Sequence, residues 1–324
     1  MYQDIDYFRE EHAADIQKIN AIICSQVISD VALINQIGAH IISSGGKRLR
    51  PITTILAGKV LNFNEIILYQ QAAMIEFIHT STLLHDDVVD QSDLRRGQST
   101  ANLLFGNAAA VLVGDFLYTR AFQLMVSAQS LPLMRIMSDA TNIIASGEVM
   151  QLMNIGNTEL TQNEYMQVIE NKTAKLFEAA AEIAAILAHA SPEHQHALKE
   201  YGRYLGLIFQ IVDDLLDYVG DSDTIGKNVG DDLAEGKATL PLIYLLQHGS
   251  QEAKKTIKYA LKHADHKHFM QISAYIHQSN ALDYCRNVVN ELAQKAQKAL
   301  MPLPKNRYTD TLCELVVAST NRIN

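Results

Sequence analysis

Apolar residues recur along this chain at three- and four-residue intervals almost without a break, and no segment shows the strict alternation of a half-buried strand. That pattern predicts an all-α protein. Helices are expected over 27–43, 66–90, 108–128, 133–153, 162–189 and 194–219, followed by shorter ones near 239–247, 250–263, 267–278, 281–300 and 308–322. The six prolines (51, 132, 192, 241, 302 and 304) fall between the periodic segments, where helices begin or end. The connections are short, as in a helical bundle. No Gly/Ser run, proline cluster or short internal repeat divides the chain, so one domain over 1–324 is expected.

Two of these helices break the rule that charge avoids apolar segments. Asp86-Asp87-Val88-Val89-Asp90 and Asp213-Asp214-Leu215-Leu216-Asp217 share a D-D-x-x-D spacing and lie about 125 residues apart. Residues four apart share a helix face, so Asp86 with Asp90, and Asp213 with Asp217, aim carboxylates in pairs. Each motif continues a polar stripe: His79, Thr82, Asp86 and Asp90 on one helix, Gln210, Asp213, Asp214 and Asp217 on the other. A single such run would pass for solvated helix surface. Two of them facing one another would make a cage for hard divalent cations, magnesium first among them, and suggest chemistry on a diphosphate. Neither run has the alternating ligands and central glycine of a calcium loop.

Basic residues follow the same logic. Arg95 and Arg96 stand just beyond the first motif, and the guanidinium fork suits phosphate oxygens, although paired arginines are also common surface charge. Gly45-Gly46-Lys47-Arg48-Leu49-Arg50-Pro51 reads either as an anion-binding turn before a new helix or as a helix C-cap with a solvated basic turn. Lys172-Thr173, with Lys175 one turn on, would by itself be ordinary helix surface. Gly226-Lys227-Asn228-Val229-Gly230-Asp231-Asp232, continuing to Lys237, is a glycine- and charge-rich loop able to fold over a polar site.

Composition narrows the class. Hydrophobic residues make up 48% of the chain, enough for a large core, and the formal net charge is −9. That balance argues against nucleic-acid or anionic-membrane binding. The two motifs supply six of the negative charges, leaving −3 elsewhere, and bound cations would reverse the local sign. Three scattered cysteines (Cys24, Cys285, Cys313) form no metal or disulfide pattern and fit a reducing cytoplasm. The first residues are too charged for a signal peptide, and no apolar run is expected to span a bilayer.

Taken together, the stretches 45–51, 76–90, 95–97, 172–173, 209–217 and 226–232 resemble, in order and spacing, the trans-isoprenyl diphosphate synthase family, in its long-chain polyprenyl branch. The resemblance runs nearly end to end. It implies an all-α bundle around a deep cavity, usually homodimeric, and a magnesium-dependent 1′-4 condensation of isopentenyl diphosphate onto an allylic diphosphate, with farnesyl diphosphate the expected primer and a product of about C40 for a quinone side chain. Asp86, Asp90 and Asp213 are the implied ligands of up to three magnesium ions, supported by Asp87, Asp214 and Asp217. Arg95, Lys172, Thr173, Gln210, Lys227 and Lys237 are the implied contacts to the allylic diphosphate. Lys47, Arg50, His79 and Arg96 are the implied isopentenyl diphosphate site, with a buried, hydrogen-bonded histidine the alternative for His79.

In such a reaction the cationic side chains help draw off the allylic diphosphate, the isopentenyl double bond attacks the carbocation, and a dry cavity keeps water away. The departing diphosphate takes the proton, so no protein base is expected. Product length is expected to depend on Ser81 and Thr82, both small, just before the first motif. The Ser81 hydroxyl could bond back to the i−4 carbonyl. Phe116, Phe122 and Met125 are candidates for the cavity floor. A terpene cyclase would not need the second diphosphate site, and a non-catalytic partner subunit could lose its carboxylates, so both rivals fit less well.

Overall fold

The computed structural model describes residues 5–43, 45–219 and 229–323. Two helices precede those expected, α1 (Ile5–Glu11) and α2 (Ala13–Val27), and the break after Val27 shortens the next to α3 (Ala32–Ser43). A side chain makes the break. The Ser29 N–H donates to the Asn35 side chain at 2.9 Å, and Asn35 donates back to the Ser29 carbonyl at 2.7 Å, so the turn's polar groups are satisfied outside a helix.

Helix α4 (Leu49–Val60) carries Pro51 in its first turn, and α5 (Ile66–Val89) ends in the first acidic motif. A hairpin not expected from the sequence follows, β1 (Leu94–Arg95) with β2 (Gln98–Ser99). Its turn residues Arg96 and Gly97 have φ of 54° and 73°, the hand that two-residue hairpins favour. Then come α6 (Ala101–Phe105), α7 (Asn107–Ser127) and α8 (Leu131–Met153). The helix expected over 162–189 is α9 (Gln162–Ile169), a π-helical turn (Glu170–Ala174) and α10 (Lys175–Leu187). The second motif lies near the end of α11 (Pro192–Val219). Beyond it are α12 (Asp231–Ala234), α13 (Leu240–His248), α14 (Gln251–His263), α15 (Phe269–His277), α16 (Ala281–Ala299) and α17 (Arg307–Thr320).

Helix α10 stands at the centre, touching α4, α5, α8 and α11. Small side chains permit this: Ala179, Ala180, Ala181, Ala184 and Ala185 are fully buried. The approach of α11 is closest. A Cβ on Gly202 would lie 2.4 Å from the Phe177 carbonyl oxygen, and one on Gly206 would lie 2.5 Å from the Ala174 Cα. These glycines, four apart, form one bare strip, and the second motif follows two turns later. Backbone contact thus seats the second motif against the π turn. On the other side α5, about 36 Å long, packs on α7, α4 and α2.

Helix α7 qualifies one expectation. At 21 residues it is long and apolar enough, by length and composition alone, to cross a bilayer. It also carries Asp115 and Arg120, and it buries one face along α5.

A buried ion pair fastens α2 to this framework. Asp15 is 8% exposed and accepts hydrogen bonds from the Lys59 ammonium at 2.5 Å and the Tyr69 hydroxyl at 2.8 Å. Burial alone would raise its carboxyl, but hydrogen bonds from His12, Lys59 and Tyr69 outweigh that and hold it well below the usual range. With the folded value depressed, the stabilisation is complete above the unfolded value of about 3.9 and is lost as the pH falls below it. Asp15→Asn is expected to cost about 3 kcal/mol at pH 7, because Lys59 keeps its buried charge without a partner. Part of the wild type's loss of stability on acidification should vanish as well. Urea unfolding of both proteins at pH 7 and pH 3 measures each effect, and equal stability at pH 7 would contradict the assignment.

Candidate active site

The last turn of α5 points its carboxylates at lysines from two other elements. Asp86 Oδ2 lies 3.6 Å from the Lys172 ammonium on the π turn. The same ammonium lies 2.6 Å from Glu148 Oε2 on α8. Asp90 Oδ2 accepts from Lys237 at 3.1 Å, and Lys237 also pairs with Glu235. Burial pushes the Asp86 carboxyl up from its ordinary value; Lys172 opposes this, while the Asp90 charge adds to it. Burial and then the charge on Asp86 push Glu148 up to about 7. Lys172 is raised despite its burial, because Asp86 and Glu148 face it.

The middle aspartates are held by other partners. Asp87 is 3% exposed and is gripped by Arg95, whose Nε and Nη2 lie 2.7 and 2.6 Å from Oδ1. Arg95, expected on the allylic diphosphate, is thus committed on this edge to a carboxylate. In the second motif, Asp214 accepts from the Tyr165 hydroxyl at 2.6 Å and from the Gln210 amide at 2.7 Å. Burial and the neighbouring Asp232 push its carboxyl up to about 8, beyond what those two donors offset. Asp217, expected to support a metal through water or from behind its direct ligands, is fully buried and accepts the Asp232 N–H at 3.2 Å, at the first turn of α12. Asp213 is half-buried, with the Arg322 guanidinium 3.9 Å away. That arginine lies 5.4 Å from the Phe209 ring centroid.

Consecutive residues of the π turn join the motifs. Lys172 faces Asp86, and the Thr173 hydroxyl donates to Gln210 at 2.7 Å, which in turn donates to Asp214. Beside this bridge lies a cavity of about 120 Å³ lined by Gln151, Asn154, Tyr165, Lys172, Gln210 and Thr239, among others.

The basic turn forms a separate pocket. Arg50 Nη1 lies 3.2 Å from His79 Nε2, and its guanidinium stacks 4.4 Å from the Phe177 ring centroid. Burial lowers Arg50 to about 10. Burial, and then the charges of Arg50, Arg96, Arg95 and Arg48, hold His79 well below its ordinary value, so the neutral ring accepts from Arg50. Arg96 donates to the Gly45 carbonyl. A Cβ on Gly46, where φ is 149°, would lie 2.7 Å from Arg96 Nη1. Lys47 is half-buried on the same turn. Arg48, in the left-handed region, turns inward to Glu76 at 2.5 Å and to Asn20 at 3.2 Å.

Some expectations fare differently. Lys227 lies outside the described residues. Lys175 pairs with Glu178 at 2.7 Å and takes no part in the bridge. The Ser81 hydroxyl does not fold back on its own helix; it donates to the Gly114 carbonyl of α7 at 2.7 Å and is 1% exposed. Thr82 bonds instead to the His79 carbonyl at 2.9 Å. Phe122 is 40% exposed on the outer face of α7, so it is no cavity floor, whereas Met125 is buried and Phe116 half-buried. Glu148, Tyr165 and Arg322 were not singled out from the sequence, and Asp232 was named only as part of the 226–232 loop.

The donor chemistry fits magnesium. Asp86 and Asp90 offer only carboxylate oxygens from one helix face, and Asp232 Oδ2 is buried without a hydrogen-bond partner. Among the described residues no three His, Cys, Asp or Glu side chains converge tightly enough to hold an ion alone, so an ion here would complete its shell with substrate or water oxygens.

Comparison with known proteins agrees with this chemistry. A model of the polyprenyl synthetase family matches residues 31–277. Octaprenyl diphosphate synthase of Escherichia coli is 48% identical over 98% of this chain and 99% of its own length. An all-trans-nonaprenyl-diphosphate synthase (geranyl-diphosphate specific) of Rhodobacter capsulatus is 42% identical over 96% of both chains. The crystal structure of a polyprenyl synthase from Caulobacter crescentus, complexed with calcium and isoprenyl diphosphate, has a TM-score of 0.94 at 41% identity and covers 99% of this chain and 98% of that one. The chain belongs to the polyprenyl synthetase family and is a prenyltransferase.

The Gly46–Arg96 contact gives a direct test of the basic pocket. Gly46→Ala should displace the Arg96 guanidinium and weaken binding of inorganic diphosphate by about tenfold, the scale of one lost charge-assisted hydrogen bond. Titration calorimetry measures it, and unchanged affinity would show that this contact does not shape the pocket.

Proposed function

We propose that the protein is a long-chain trans-polyprenyl diphosphate synthase, one domain over 1–324, that condenses isopentenyl diphosphate repeatedly onto an allylic diphosphate such as farnesyl diphosphate. The product is of about C40, and its use is as a quinone side chain, in line with the octaprenyl and nonaprenyl relatives. The observation that carries this reading is the bridge at 172 and 173, which ties both acidic motifs to one cavity.

Bound magnesium, on Asp86, Asp90 and Asp213 and as up to three ions, would supply positive charge at the leaving diphosphate. Lys172, Lys237, Thr173 and Gln210, with Arg95 and Lys227, hold and orient the allylic diphosphate. Arg50, Arg96 and Lys47 hold the second diphosphate, and His79, kept neutral, fixes the Arg50 fork. With the second diphosphate held beside the first, the isopentenyl double bond is delivered to the allylic carbon and not to solvent. Buried Phe177 and half-buried Phe209, 5.7 Å apart, wall the site with apolar surface that excludes water from a carbocation. The calcium and isoprenyl diphosphate of the Caulobacter relative support both the metal and the ligand class.

The protein works as a homodimer in the cytoplasm. Support comes from an exposed stripe on the outer face of α7: Val111, Leu112, Phe122 and Val126 are 36%, 67%, 40% and 56% exposed, an apolar surface suited to a second copy.

Two variants test the reading. Asp86→Ala should lower turnover by more than about a hundredfold, as loss of transition-state charge stabilisation does; near-normal turnover at limiting magnesium would contradict the metal role. Ser81→Phe, placing a ring at the contact of α5 with α7, should shorten the product while short primers still turn over. Mass spectrometry of products made by the purified chain decides both the function and this effect. Failure to incorporate isopentenyl diphosphate would sink the function, and unchanged chain length would sink the role of position 81.

A further inference from the structure

Resting on the reading of Lys172 as a contact to the leaving diphosphate, we propose that Glu148 is the positioning residue that holds the Lys172 ammonium there and keeps it off Asp86. The ammonium has two carboxylates within reach. Glu148 Oε2 is at 2.6 Å, a charge-assisted hydrogen bond, and Asp86 Oδ2 at 3.6 Å is a looser ion pair.

The backbone around Glu148 is shaped for this contact. A Cβ on the preceding Gly147 would lie 2.7 Å from the Lys172 backbone nitrogen and 2.9 Å from the Asn171 Cβ. Only a bare residue lets α8 come so close to the π turn, and the next side chain along α8 is then delivered to the lysine. Asn171 adds a second tie, its amide 3.4 Å from the Met150 sulfur. On the other side, Arg203 holds Glu170 through two hydrogen bonds at 2.8 and 3.0 Å, fixing the first residue of the same turn. The π turn therefore presents Lys172 from a fixed backbone, and Glu148 fixes the far end of its side chain.

The charges explain why a second carboxylate belongs here. Asp86 cannot give its oxygens fully both to a divalent cation and to Lys172, and the cation would repel the ammonium. A lysine with Asp86 as its sole partner would compete with the ion in the resting protein and be set loose once the ion bound. Glu148 removes that conflict by anchoring the ammonium from the side of α8, leaving Asp86 available. Glu148 is taken up by that ammonium at 2.6 Å and so is not left to an ion.

The test is a double-mutant cycle on the full-length protein, comparing wild type, Glu148→Gln, Lys172→Met and the double variant, with thermal unfolding to verify folding. Glu148→Gln should lower kcat by about tenfold, within the usual range of contact coupling. Glu148→Gln should also raise the magnesium concentration needed for tight calorimetric binding of inorganic diphosphate, because Lys172 falls back on Asp86. In the Lys172→Met background Glu148→Gln should change neither quantity, and Glu148→Asp should recover part of the lost kcat. An equal penalty in both backgrounds would overturn the proposal, as would a wild-type Glu148→Gln alongside a slow Lys172→Met. If Lys172→Met itself turned over normally, the underlying role of Lys172 would fail and Glu148 with it.

Discussion

Carboxylates in the middle of an apolar helical bundle persist only where positive charge or a proton meets them, and this requirement organises the whole molecule. Four of the motif aspartates have an answer. Asp86 shares Lys172 with Glu148, Asp87 takes Arg95, and Asp90 shares Lys237 with Glu235. Asp214, crowded by Asp232, is raised to about 8 and is held by Tyr165 and Gln210. The partners come from β1, α8, α9, the π turn, α11 and the 235–237 turn, so the charge balance exists only when these elements pack. The glycine strip of α11 and the alanine-lined α10 are the conditions for that packing.

The opposite imbalance lies a short way off. Burial, and then the charges of Arg50, Arg96, Arg95 and Arg48, keep His79 neutral. Glu76 answers Arg48, yet burial still lowers Arg50. An anion entering this pocket relieves repulsion that the fold has already built in, and the same holds for cations arriving between the aspartates. A metal-bound diphosphate beside a free one completes both halves at once. That complementarity accounts for a net-negative protein handling two polyanionic substrates.

The parts of this arrangement legible in the sequence are those carried by local periodicity. The helices at 66–90, 108–128, 194–219 and 281–300 lie within one or two residues of their observed ends, and both aspartate motifs stand on the polar stripes expected. Helix α2 was missed, although Asp15, Ile19, Ile23 and Val27, four apart, are its buried face. What stayed hidden depends on contacts between distant elements. The π turn answers to Gly147 and Gly206 on other helices, so 162–189 reads as one unbroken helix. Glu148 sits in a stretch that looks like helix surface until Lys172 is seen beside it. Asp217 belongs to the motif by spacing, but the 229–232 turn claims its carboxylate. The Ser81 hydroxyl could have bonded within α5; the nearness of Gly114 decided otherwise.

The measurement closest to the heart of the matter is calorimetric titration of the purified protein with inorganic diphosphate, with and without magnesium. Charge matching across the two aspartate helices predicts tight, saturable binding with magnesium, and at least a tenfold loss without it, abolished equally by Asp86→Ala and by Asp213→Ala. Diphosphate binding that is equally tight without magnesium and indifferent to both substitutions would mean that the aspartates do not form one metal-dependent site.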